Sequence, residues 1–251
     1  MSAVSPPTGE SETGSPVAQK PDDGPLPYGR RYWLSALLAP VPLLPLWVVL
    51  ARAVGAPLRL AAAAVGLLVL LLAVVVVTDL RVRRIPNWAT YTAAGWAVTL
   101  LLLSAVAGHW AIPGVADADG IPTTLAMVIG IPPFTAALAG FAAGFVPMLA
   151  FYALFGGGAG DVKLVAAIGL LVGFPAVFQV LLYTFLVAGA FALVYLVWKV
   201  GPGGMLAGLG SRLFPGRVRP PETTVGETVR AKVPMAPFIA AGVILAAMLT
   251  D

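Results

Sequence analysis

Nineteen consecutive residues, 60–78, carry no charge, and the run stops at Asp79. That length is close to the roughly 20 residues a helix needs to cross a ~30 Å hydrocarbon core. Within hydrocarbon every backbone N–H and C=O must find its partner inside the protein, so such a run folds as a helix in a membrane bundle. Further apolar runs cover 33–50, 88–107, 134–155, 176–198 and 234–250. Only 10% of the 251 residues are charged and 59% are hydrophobic, whereas a soluble domain carries about 25% charged residues. The fold class expected is therefore all-α, a polytopic integral membrane helix bundle of about seven spans.

The stretches between these runs set the organisation. Residues 1–32 are rich in Ser, Pro, Gly, Thr and acidic groups, a composition that buries too little apolar surface to fold, so a disordered tail is expected. Pro40, Pro42 and Pro45 interrupt the first run and predict a kinked helix, with 33–59 forming an extra N-terminal span and its loop. Residues 108–123 hold Asp117 and Asp119 but no Lys or Arg, and 125–133 is apolar yet broken by Pro132-Pro133, which suits an interfacial segment. Residues 162–172 would rise only roughly 16 Å as a helix, about half a membrane core. That stretch is either a helix that starts in a water-filled pocket or a re-entrant half-span. Residues 199–232 read as a polar, Gly/Pro-rich loop with six basic residues.

Orientation follows from Lys and Arg. If the segment after Asp79 is cytoplasmic, so are the N-terminal tail, the glycine stretch near residue 160 and the loop before Pro234. These hold 13 of the 15 basic residues, leaving Arg52 and Arg59 on the other side. The positive-inside rule favours this arrangement and puts both Asp79 and Asp161 at cytoplasmic helix ends. On the same ground Arg81, Arg83 and Arg84 read as topology signals, and the net charge of +4 reports membrane orientation with no nucleic-acid partner implied. The absence of cysteine excludes thiol chemistry and disulfides, and a lone His109 cannot build a metal cluster, so neither metal nor cofactor is expected.

Ionisable groups where a chain meets the membrane are costly and mark functional sites. Asp161 lies in Gly156-Gly157-Gly158-Ala159-Gly160-Asp161-Val162-Lys163-Leu164, between two apolar runs. Glycine lets a backbone take positive φ or come close to a substrate. Lys163 is read as snorkelling to lipid headgroups, with tuning of Asp161 as its other role. Two carboxylates facing one another share a proton, because like charges a few ångströms apart cannot both ionise. The ionised partner can then activate water while the protonated one polarises a carbonyl, which is acid–base peptide hydrolysis without a metal or covalent intermediate.

Asp79 followed by Arg84-Ile85-Pro86-Asn87, then Gly158-Ala159-Gly160-Asp161-Val162-Lys163-Leu164, resembles the type IV prepilin leader peptidases. Val233-Pro234-Met235-Ala236-Pro237-Phe238 is similar to the Pro-Phe-Gly-Pro-Phe run that opens that family's last helix, with Met235 and Ala236 replacing two of its residues. The resemblance covers about 60–250. It implies a six-helix membrane catalytic domain and an aspartic endopeptidase at the bacterial inner membrane. The enzyme would cut the basic leader from prepilin or pseudopilin precursors on the cytoplasmic side. Asp79 and Asp161 map onto the catalytic pair, with Pro86, Asn87, Gly158, Gly160 and Lys163 as active-site support. Relatives that also methylate the new N-terminus often carry paired cysteines. This chain has none, so methyl transfer is not expected and the short peptidase-only form fits better. Two other readings stay open on the residues: a presenilin-type intramembrane protease, and a proton- or cation-coupled transporter that uses the two aspartates.

Overall fold

The computed structural model describes residues 30–116, 122–156, 158–213 and 234–249. Most of the expected N-terminal tail, Asp117 and Asp119, Gly157 and the loop residues 214–233 lie outside the described residues. The helices are α1 (Arg30–Leu38), α2 (Pro40–Ala53), α3 (Leu58–Ala61), α4 (Ala63–Val82), α5 (Asn87–Ala107), α6 (Leu125–Ile129), α7 (Phe134–Phe155), α8 (Ala159–Val172), α9 (Ala176–Leu213) and α10 (Ala236–Leu249). Five helical stretches are long and apolar enough to cross a membrane: Leu34–Ala53, Ala63–Val82, Asn87–Ala107, Leu125–Leu154 and Ala176–Lys199. The helices α8 and α10, at 14 residues each, rise roughly 21 Å and fall short of a full core.

The bundle is a membrane protein in its surface as well as its lengths. Leu37, Val49, Val106, Leu154 and Leu186 all point outward. On a soluble protein so much exposed aliphatic surface would mark a binding patch, but a bilayer solvates it. The protein interior is centred on α8, whose Leu164, Val165 and Ile168 are essentially inaccessible. Its neighbour α7 comes close enough that a Cβ at Gly140 would strike the Gly169 carbonyl oxygen, and the reverse. Small residues at a crossing let two backbones approach where lipid supplies no hydrophobic drive. The N-terminal helices are tied on by Trp96, whose Nε1 donates to the Leu37 carbonyl at 2.8 Å. The Trp47 ring lies against Gly66, where a Cβ would sit 2.7 Å from it.

Local chemistry explains the helix ends around residue 80. Arg83 takes a left-handed conformation (φ 53, ψ 36), and its N–H returns to the Asp79 carbonyl at 2.9 Å, closing α4. Three residues later Pro86 is the N-cap of α5. Proline disfavours the helical region for the residue before it, so Ile85 cannot carry α4 onward. On the other side Gly156 (φ 70) ends α7, a conformation that glycine takes without penalty.

One small two-stranded antiparallel ribbon, Ala111–Ala116 with Pro122–Thr124, sits within the all-α bundle that the sequence predicts. Two expectations need correction. The polar loop expected from residue 199 is helical as far as Leu213. It is broken at Gly201 (φ 73), after which Pro202 supplies the fixed φ that suits a first helical turn. The short helix starts at Ala159, not 162, because Gly158 serves as its N-cap in an extended conformation (φ −82, ψ 126).

Candidate active site

Four helix ends meet at one point: α4 finishes there, and α5, α8 and α10 begin. Asp79 stands one turn before the end of α4 and is only 6% exposed. A buried carboxylate needs a donor. Its Oδ2 accepts the backbone N–H of Ala236 at 2.9 Å, the first residue of α10.

Asp161 is the third residue of α8, in its first turn, outside the five helices long enough to span. Its carboxyl folds back over the N-cap: a Cβ at Gly158 would lie 2.7 Å from Oδ2. Burial first and the negative charge of Asp79 second raise Asp161 to about 6, against the opposing effect of a backbone hydrogen bond from Gly158. That coupling places the two carboxyls within electrostatic reach of each other, although they arrive from motifs far apart in sequence. Below about pH 6 a site of this kind holds a proton on Asp161 beside a second carboxyl. Such a pair can act as acid and base together.

The supporting residues come together in two pairs across the same junction. Lys163, on α8, donates from Nζ to Oδ1 of Asn87 at 2.9 Å, and its ammonium lies 5.1 Å from the centre of the Tyr91 ring. Lys163 is therefore held by α5, and the snorkelling role gives way to a bridge between two helices. Gly160 faces the Ile-Pro-Asn loop: a Cβ there would fall 2.9 Å from Cβ of Ile85. Its need for glycine is space, not positive φ, since it lies inside a regular helix turn. Pro86 is buried at the head of α5, and Asn87 is exposed. Arg81, Arg83 and Arg84 are exposed.

The part sequence reasoning missed is the Ala236 amide. Its motif was visible, but a backbone donor leaves no side-chain signature. The one available clue was that Pro234 and Pro237 lack N–H groups, so that between the two prolines the backbone donors are Met235 and Ala236.

A sequence model of the type IV leader peptidase family matches residues 66–193, just over half of the chain. The match contains both aspartates and the glycine stretch. No curated protein and no solved structure matches the chain.

Proposed function

The chain belongs to the type IV leader peptidase family, and from that premise we propose that Asp79 and Asp161 are the catalytic pair of an aspartic endopeptidase. Its substrates are prepilin-like precursors, cut at the cytoplasmic face of a bacterial inner membrane. The observation that carries this reading is the electrostatic coupling of a buried and a half-buried carboxyl, from separate motifs, at one junction of four helix ends. Membership of a peptidase family leaves the transporter reading without support.

The roles follow from the surroundings. Asp161 holds the shared proton, because burial and the neighbouring charge both oppose its ionisation. Asp79 accepts an amide N–H and needs no proton of its own to satisfy that bond. Asp79 takes a proton from water as the water oxygen bonds to the scissile carbonyl carbon. Asp161 gives its proton to the carbonyl oxygen. The resulting gem-diol then collapses: the C–N bond breaks, Asp79 returns its proton to the leaving amine, and Asp161 recovers its own. The basic asymmetry of 13 to 2 in the sequence supports a cytoplasmic position for the site.

The test is co-expression with a prepilin precursor. Asp79→Asn and Asp161→Asn keep size and polarity but cannot cycle a proton. Each is expected to abolish the mobility shift of leader removal while the protein inserts at normal level. Near-normal processing by either variant rejects the pair.

A further inference from the structure

We infer that the Ala236 amide is a positioning group for the reaction, fixing the carboxylate of Asp79 in the orientation from which it meets Asp161. The inference rests on the catalytic reading of Asp79 given above. The Ala236 N–H donates to Oδ2 of the Asp79 carboxyl at 2.9 Å, in the interior of the bundle. Ala236 is the first residue of α10, where an N–H has no partner within the helix and is free to serve another group. The polarity of a helix start adds attraction for an anion there.

The amide is itself held rigidly. Ala236 is 1% exposed and Ile239, on the next turn, is fully buried. Further along, Gly242 lies against Thr184 of α9, where a Cβ would strike the threonine hydroxyl. The amide therefore cannot follow Asp79 if the side chain rotates. A donor on a packed helix fixes a rotamer more tightly than a mobile side chain would. The third motif is thus part of the catalytic centre through its backbone, with α10 acting on the reaction through Asp79.

The experiment uses the purified full chain in lipid nanodiscs. The substrate probe is a synthetic peptide with a basic leader, a glycine at the cut and a following apolar stretch. Ala236→Pro removes the donor at a first helical position, where proline is tolerated. Ala236→Gly removes only the methyl and keeps the donor. If the proline variant fails to fold, lactic acid incorporated at 236 replaces the amide N–H by an ester oxygen and nothing else. Donor removal is expected to lower kcat roughly tenfold to a hundredfold, the range for losing a hydrogen bond to a charged group, with KM little changed. Ala236→Gly should lose markedly less kcat than the donor-less protein.

A second readout needs no substrate. Dicyclohexylcarbodiimide modifies protonated carboxyls, the form that an N–H donor does not favour, and mass spectrometry locates the product. Modification of Asp79 is expected to accelerate several-fold in the donor-less protein and not in Ala236→Gly. An unchanged modification rate overturns the inference whatever the cleavage assay gives. So does a donor-less protein with parental kcat, or equal losses in the proline and glycine variants. If the parent cleaves no leader peptide while modification of Asp79 still accelerates in the donor-less protein, the peptidase reading of the pair is sunk and the amide–carboxylate relation stands.

Discussion

Lys163 and Asn87 are joined by a 2.9 Å hydrogen bond from Nζ to Oδ1, across two helices that both begin at the site. The bond fixes the first turn of α8 against the first residue of α5, and the Tyr91 ring steadies the same ammonium. Asp161 is two residues before Lys163 on α8, and Asn87 follows the short loop that joins the end of α4, one turn after Asp79, to α5. The pair therefore helps set the spacing of the two carboxyls.

A double-mutant cycle measures that link. Lys163→Met and Asn87→Ala should each lower kcat/KM about fivefold to tenfold, which is about 1 kcal/mol for a partly exposed, charge-assisted bond. The double variant should lose scarcely more than either single variant, because both remove the same contact. Fully additive losses would show that the two residues act separately.

Gly160→Val places a branched side chain where a bare Cβ already meets Ile85 at 2.9 Å. The neighbour offered is a Cβ next to the backbone, not the end of a flexible chain, so α8 or the Ile-Pro-Asn loop must shift. A displacement of this size at a catalytic group costs about 10²-fold in rate. Membrane insertion should be unaffected, since it is driven by the long spans. Gly189→Ala, with open space around its Cβ, is the matched control and should process the precursor as the parent does. Equal processing by Gly160→Val and Gly189→Ala would reduce the Gly160–Ile85 contact to an ordinary packing detail.

The pH profile reports the shared proton. Asp161 is raised to about 6, so at lower pH it is protonated and can donate to the carbonyl. As pH climbs past that value Asp161 ionises, and the donor is lost. The cleavage rate should therefore fall on the alkaline side, approaching about tenfold per pH unit well above the transition. A bilayer removes more water from the site and moves this limb upward. A rate that stays flat between about pH 5 and pH 9 would contradict the assignment of Asp161 as acid.

Topology can be read with single cysteines, since the chain has none of its own. Val54, in the turn after α2, and Arg83, at the end of α4, are both exposed. A membrane-impermeant thiol reagent should label Val54→Cys in intact cells and reach Arg83→Cys only after permeabilisation. The reverse pattern would place the carboxyls on the outer face and remove a cytoplasmic leader as substrate.

The sequence alone determined the helical membrane class, the pairing of Asp79 with Asp161 as the residues of interest and the glycine at 160. These are one-dimensional properties: run length against bilayer thickness, isolated charges at the ends of apolar runs, and residue spacing within motifs. It did not determine where the short helix begins, because the shift from 162 to Ala159 depends on Gly158 adopting an N-cap conformation in context. Nor did it determine that residues 199–213 are helical, since glycine and proline signal a break but not what resumes after it. Only the tertiary structure turned Lys163 from lipid toward Asn87, because a long cationic side chain takes whichever acceptor the packing of helices brings near. The Ala236 amide is the clearest case. Every residue but proline has an N–H, so no residue type announces it, and only the docking of α10 beside α4 decides that this one meets Asp79.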